Sequence, residues 1–202
     1  MIELVGSLWS VPTEDELPAA HRLAALGLRR LHWDSSDGRF ANPGGFSAAR
    51  AREIADETGL AAEAHLMHEK PVSAVDEWTE ICDVIFVHVE SEEWQSAVER
   101  IVRRGATPGL AISPATPVAL IPDEIDVLCM SIVPGTAGSA FDHGVLPRIA
   151  ALREAASSRR IAVDGGITSS HAELLRAAGA DRMVVGTDLF GAGGTERWSA
   201  YL

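Results

Sequence analysis

Lysine is almost missing from this chain of 202 residues: of its 17 basic side chains only Lys70 is lysine, and the others are arginine. Schiff-base chemistry would have to use that one residue. It sits in the polar run His68-Glu69-Lys70-Pro71, not in the desolvated pocket that activates an amine. Cysteine is scarce as well. Cys82 and Cys129 lie 47 positions apart in apolar runs, so they offer neither a disulfide framework nor a cluster of thiolate ligands and read as buried packing residues. Positive charge is in deficit, with a formal net charge of −12. No basic stripe is present to release counterions from a nucleic acid or to hold an anionic membrane. No run approaches the ~20 apolar residues of a spanning helix, and Met1-Ile2-Glu3-Leu4 lacks the basic start of a secretory signal. These absences predict a soluble, cytoplasmic protein with a small-molecule partner. Carboxylate, histidine and metal chemistry remain open to it.

Low-complexity segments, charge blocks and dividing linkers are also absent, and 202 residues suffice for one sizeable core. A single domain over residues 1–202 is expected. Apolar or β-branched runs recur at Ile2–Val5, Arg30–Trp33, Ala62–Leu66, Val84–Val89, Gly109–Ile112, Val127–Ile132, Ile161–Val163 and Met183–Val185. Helical spacing appears between them at Asp15–Leu26, Phe46–Thr58, Val72–Thr79, Glu92–Arg104, Val145–Ala156 and Ser170–Ala178, with Gly27, Gly59, Gly105 and Gly179 where helices should stop. Alternation of strand and helix implies parallel pairing. Eight such units predict a closed (β/α)8 TIM barrel, abbreviated in the fifth unit near Val118–Leu120 and in the eighth after Gly191-Ala192-Gly193-Gly194. The rival open sheet would carry a glycine-rich first turn, and the first run is followed by Gly6-Ser7-Leu8-Trp9-Ser10 instead.

In a parallel barrel the carboxyl ends of the strands share one face, so polar residues distant in sequence converge there. The second run ends His32-Trp33-Asp34, the third at His65, the fourth at His88-Val89-Glu90 and the seventh at Asp164-Gly165-Gly166. His32 and Asp34, two apart on a strand, point the same way. With His65 and Asp164 they make a mixed nitrogen and oxygen set suited to one divalent zinc, iron, manganese or cobalt ion. Taken singly, each of these residues reads as readily as a hydrogen-bonded structural group. Four at three strand ends are harder to dismiss, because unpaired buried charges are costly. Gly165-Gly166 and Gly186-Thr187 after the last two runs suggest a phosphate corner built from backbone N–H groups, which needs no lysine. Tight turns alone would also account for these glycines.

These residues carry a resemblance to the ribulose-phosphate 3-epimerase family, running from Ser7 to Gly191. It rests on Ser7-Leu8-Trp9-Ser10, His32-Trp33-Asp34-Ser35-Ser36-Asp37-Gly38, His65-Leu66-Met67, Val87-His88-Val89-Glu90, Met130-Ser131-Ile132-Val133-Pro134-Gly135, Val163-Asp164-Gly165-Gly166-Ile167 and Gly179-Ala180-Asp181, in matching order. The resemblance implies that His32, Asp34, His65 and Asp164 bind one catalytic metal. It further implies that Asp34 and Asp164 exchange protons on opposite faces of a ketose phosphate, inverting C3 through a cis-enediolate. Ser7 matches a substrate-contacting serine, and Met67 and Met130 match two of three lid methionines, with Ser36 at the third place. D-ribulose 5-phosphate is the first substrate implied, a hexulose or heptulose phosphate the alternative, and a homo-oligomer the implied assembly.

The departures lie around the substrate. The loop after the sixth strand reads Val133-Pro134-Gly135-Thr136-Ala137-Gly138-Ser139, where the family's usual loop carries an aromatic and an amide side chain. Gly135 and Gly138 remain as substrate-binding candidates there. Asp188 follows Gly186-Thr187, where it either caps a helix or repels an anion, and Trp33 and Arg39 are expected to add bulk and charge near the site. His68 and His143 fall in loops able to approach substrate, while His21 and His171 read as helix-surface residues. A related decarboxylase marker, Asp-x-Lys-x-x-Asp, finds no counterpart in Asp34-Ser35-Ser36-Asp37. The reading from a different class is a noncatalytic sugar-phosphate or metal-binding scaffold.

Overall fold

The computed structural model describes residues 2–202; Met1, with which the expected domain begins, lies outside them. Eight strands line up in parallel: β1 (Glu3–Ser7), β2 (Arg30–Ser36), β3 (Ala61–Met67), β4 (Val84–His88), β5 (Thr107–Ile112), β6 (Asp126–Met130), β7 (Ile161–Asp164) and β8 (Arg182–Val185). Each pairs with its sequence neighbour, and β8 returns to β1, so the sheet closes into the expected barrel. A two-residue strand at Gly44–Gly45 adds antiparallel to the end of β2.

Side-chain alternation divides each strand between two apolar environments. Inside the barrel, Val5, Val84, Phe86, Ala111, Leu128, Met130, Ala162 and Val184 pack together. Outward residues such as Leu31, Trp33, Leu66, Ile85 and Val163 meet the helices. The helices are α1 (Glu16–Leu26), α2 (Ala48–Thr58), α3 (Val75–Thr79), α4 (Trp94–Arg103), α5 (Val145–Ala155) and α6 (Ala172–Ala178). Leu23, Ile54, Trp78, Ile101, Ile149 and Leu175 supply their buried faces. Glycines in the left-handed conformation end α1, α2 and α6 at Gly27, Gly59 and Gly179, as the sequence predicts.

Both expected abbreviations are present. Between β5 and β6 a single 3-10 turn, Val118–Leu120, stands where a helix would lie. After β8 come α7 (Thr187–Phe190) and α8 (Gly194–Arg197), four residues each. The predicted helix over Val72–Thr79 is instead a 3-10 turn, Pro71–Ser73, followed by α3. Among the described residues no helix is long and apolar enough to cross a membrane.

The interior has little slack. A Cβ built on Gly109 of β5 would lie 2.3 Å from the ring of Phe86 on β4, so the ring occupies the space that a side chain there would need. Gly109→Ala is expected to cost about 1–3 kcal/mol by overpacking. The loss should shrink in a Phe86→Leu background. Urea denaturation of the two single variants and the pair checks this; additive effects would mean that the two residues do not share that space.

Candidate metal centre

The same alternation that fills the barrel turns polar residues inward near its carboxyl end. On β2 the inward positions include His32 and Asp34, and on β3 they include Glu63, His65 and Met67. Register then levels them: Asp34 stands opposite His65, and Met130 opposite Asp164. One potential ligand atom from each of His32, Asp34, His65 and Asp164 lies within 4.8 Å of the other three. Both imidazoles are fully buried and Asp34 nearly so. His65 Nδ1 is 2.9 Å from Asp34 Oδ1, and His32 Nε2 is 3.5 Å from the same oxygen. Ser7 donates to the other carboxylate oxygen, Oδ2, at 3.3 Å.

This arrangement fits a divalent cation. His32 Nε2 is buried and has no hydrogen-bond partner, an expensive condition unless something else takes its lone pair. The donors are two nitrogens and two carboxylates, the set that zinc and its transition-metal neighbours accept. The electrostatics agree. Burial works against a charged His32, yet the Asp34 and Glu63 carboxylates outweigh it and raise that imidazole well above its ordinary range; the pocket therefore attracts positive charge. Desolvation and the nearby Asp34 carboxylate push Asp164 upward, whereas His32 and His65 overcome burial at Asp34 and hold it down. Two carboxyl groups with oppositely displaced acidities are the usual mark of an acid and base pair.

A second ring of polar groups backs the first. His32 Nδ1 lies 2.8 Å from Glu63 Oε1, and Glu63 Oε2 accepts from Arg182 on β8 at 3.1 Å. His65 Nε2 lies 2.8 Å from His88 Nε2, while His88 Nδ1 is 2.9 Å from Glu90 Oε2. Burial works against the charge on Glu90, but the hydrogen bonds from His88 and from the backbone of Ser113 prevail and bring it down to about 2.

Asp34 and Asp164 border a cavity of about 410 Å3, and the fully buried His32 and His65 stand behind them. Ser7, Met67, Met130, Gly135, Gly138, Gly165, Gly166, Gly186 and Thr187 all line it, so every substrate-binding candidate borders one space with Asp34 and Asp164. Gly165 and Gly166 have positive φ, +113° and +59°, and a Cβ on either would come within 2.5 Å of Ile132 or of the Phe141 backbone. Glycine there lets the turn after β7 pass under the loop after β6. That loop crosses the mouth and touches Ala41 and Asn42 through Gly135. Its Thr136 and Ser139 side chains bond backward to the carbonyls of Val133 and Thr136.

Several sequence expectations need correction. Trp33 is outward and fully buried, edge-on to Phe46 with ring centroids 4.9 Å apart, because it alternates with His32 and Asp34. Arg39 is largely exposed and pairs with Glu69. Neither lines the cavity, nor do His68 or His143. Ser36 bonds within its own loop, donating to the Ala41 carbonyl at 3.2 Å. His171 is half-buried and stacks on Phe141 at 4.2 Å. Sequence reasoning passed over Glu63 and Arg182. For Glu63 a signal existed, since it lies two residues before His65 and so shares its face. Arg182 reaches Glu63 only across the barrel interior, which no local pattern reveals.

The fold and site together define a (β/α)8 barrel with a candidate transition-metal centre at the carboxyl ends of its strands. Within that class the Ribulose-phosphate 3 epimerase family model matches residues 4–190, and the chain belongs to this family. It is 32% identical to the ribulose-phosphate 3-epimerase of Rhodospirillum rubrum, covering 95% of this chain and 88% of that one. It is 33% identical to that of Methanocaldococcus jannaschii, covering 95% and 85%. Among solved structures, 3-hexulose-6-phosphate synthase has a TM-score of 0.69 over the whole of both chains at 14% identity, a likeness of fold.

Asp188, at the edge of the cavity, is a structural cap. Its Oδ2 accepts from the Ser169 backbone N–H at 3.2 Å and from the buried Trp198 indole at 2.8 Å, and its Oδ1 pairs with Arg197 at 3.1 Å. Asp188→Ala should destabilise the protein by about 1–3 kcal/mol, since it strands a buried donor. The midpoint of chemical denaturation measures this, and an unchanged midpoint would return Asp188 to the list of anion-repelling residues.

Proposed function

We propose that this protein is a metal-dependent epimerase that inverts C3 of a phosphorylated ketose, with D-ribulose 5-phosphate to D-xylulose 5-phosphate as the first reaction to test. The observation that carries the reading is the convergence of His32, Asp34, His65 and Asp164 on one point, with Asp34 and Asp164 open to the cavity, in a chain of this family. These four residues would hold the metal, zinc, iron, manganese or cobalt. Bound there, the ion supplies positive charge that stabilises the oxyanion developing when a carbon acid next to a carbonyl ionises.

The chain's own residues do the rest. Asp34 and Asp164 are the proton carriers at C3: one carboxylate removes the proton, and the other, in its acid form, returns one from the opposite side of the carbon. Running the reaction backward exchanges their roles. Inversion needs two carriers, and Asp34 on β2 and Asp164 on β7 reach the cavity from separate strands. Ser7 orients Asp34 through its hydrogen bond. Met67 and Met130 give the floor apolar surface that keeps water from the ionised carbon. The phosphate rests against backbone at Gly165, Gly166, Gly186 and Thr187, and Gly135 and Gly138 let the loop after β6 lie close over the substrate. An arrangement of this kind suits a chain with a single exposed lysine.

Deuterium wash-in at C3, measured over pentulose, hexulose and heptulose phosphates with and without chelator, tests the proposal. Exchange and inversion should appear with a pentulose phosphate and stop on metal removal. Asp34→Asn and Asp164→Asn should each lower kcat/KM by roughly 10²–10⁴-fold. Exchange that survives chelation, or no exchange with any ketose phosphate, would overturn it, the second result pointing to a noncatalytic binding scaffold.

A further inference from the structure

We propose that Glu63 and Glu90 are the positioning carboxylates of the metal centre, Glu63 fixing His32 directly and Glu90 fixing His65 through His88. This rests on the metal-centre reading above and extends it to which nitrogen each imidazole offers.

The argument is a count of protons. An ionised carboxylate only accepts hydrogen bonds. Glu63 Oε1 lies 2.8 Å from His32 Nδ1, so His32 keeps a proton on Nδ1, and Nε2, the buried atom without a partner, is the nitrogen that offers a lone pair when a metal takes the place of its proton. Glu63 cannot turn away, because its other oxygen holds Arg182, whose Nε is committed to Glu3 at 2.8 Å. On the other side Glu90 Oε1 accepts the Ser113 N–H at 2.8 Å and Oε2 faces His88 Nδ1 at 2.9 Å. The His88 proton is then on Nδ1, and its Nε2 can only accept. That nitrogen is 2.8 Å from His65 Nε2, so once a cation on Asp34 replaces the proton between Asp34 and His65 Nδ1, His65 donates from Nε2 and keeps its lone pair on Nδ1.

The outcome is specific. His32 Nε2 and His65 Nδ1 both turn lone pairs toward Asp34 Oδ1, at 3.5 and 2.9 Å. Three acceptors facing one another repel unless a cation lies among them. The two chains differ in length, one carboxylate acting directly and one through an intervening imidazole, because His32 and His65 stand on different strands and offer opposite ring nitrogens. The Phe40 ring covers His88 at a centroid distance of 4.4 Å, shielding the longer chain.

A glutamine at either position keeps the volume but replaces one accepting oxygen with a donating amide, so one of the two hydrogen bonds is lost. Chelator-stripped full-length protein, titrated with Co2+ and with Zn2+ against a chromophoric chelator, gives the affinity. Glu90→Gln and Glu63→Gln should bind each ion about 10–100-fold more weakly than wild type. The visible spectrum of the Co2+ form should change while the far-UV circular dichroism stays the same. Long-range 1H–15N NMR of the Zn2+ form should show His32 and His88 protonated at Nδ1 and His65 at Nε2. Wild-type affinity and spectrum in Glu90→Gln, or a His65 proton on Nδ1, would overturn the positioning role alone; a wild-type protein that takes up neither ion would overturn the metal centre with it. Should Glu63→Gln not fold without its partner for Arg182, Glu90→Gln decides, since its side chain is 23% exposed and sits at the barrel's open end.

Discussion

The structure depends on one buried carboxylate. Asp34 lies between two imidazoles that have no access to solvent, and Oδ1 is within 3.5 Å of a ring nitrogen from each. Such a group is tolerable only when the charges around it balance. Much of the barrel interior serves that balance. Arg182, Glu63 and Glu3 run down one side, and His88, Glu90 and the Ser113 backbone close the other. An apolar core of ordinary kind, built on Phe86, Leu128 and Val184, occupies the remaining interior.

Rigidity is what these surroundings add. Each member of the inner ring sits on a strand, not on a loop, and strand register fixes its height in the barrel. The mouth is made differently, from turns and loops whose glycines allow close approach. The Gly165-Gly166 turn passes beneath the loop after β6, and that loop leans on residues 41–42. Chemistry is thus held by the sheet, while the shape of the opening is left to segments that change without disturbing it. This division agrees with the resemblance read from the sequence, which matches the residues of the centre and departs at Ser36 and over Val133–Ser139, at the mouth.

Much of this was legible in the sequence, for physical reasons. Alternation of short apolar runs with helical spacing, stopped by Gly27, Gly59 and Gly179, sufficed for the barrel, because parallel strands need crossovers. The His-x-Asp pair showed its shared face through period-two geometry. What stayed hidden was anything set by contact across the barrel. Arg182 and Glu63 are 119 positions apart, and neither has a neighbour that reveals the other. Trp33 was misjudged for the opposite reason: proximity in sequence to Asp34 suggested proximity in space, although adjacent strand residues point apart. The role of Asp188 likewise depended on Trp198 and Ser169, which only the folded chain brings to it.

The most direct test of the central claim is an anomalous-difference map from crystals of the zinc-loaded protein. The account predicts a single strong peak on the cavity floor, within bonding distance of His32 Nε2, His65 Nδ1 and oxygens of both Asp34 and Asp164. A peak bound elsewhere, or one that leaves Asp164 outside the coordination sphere, would contradict it.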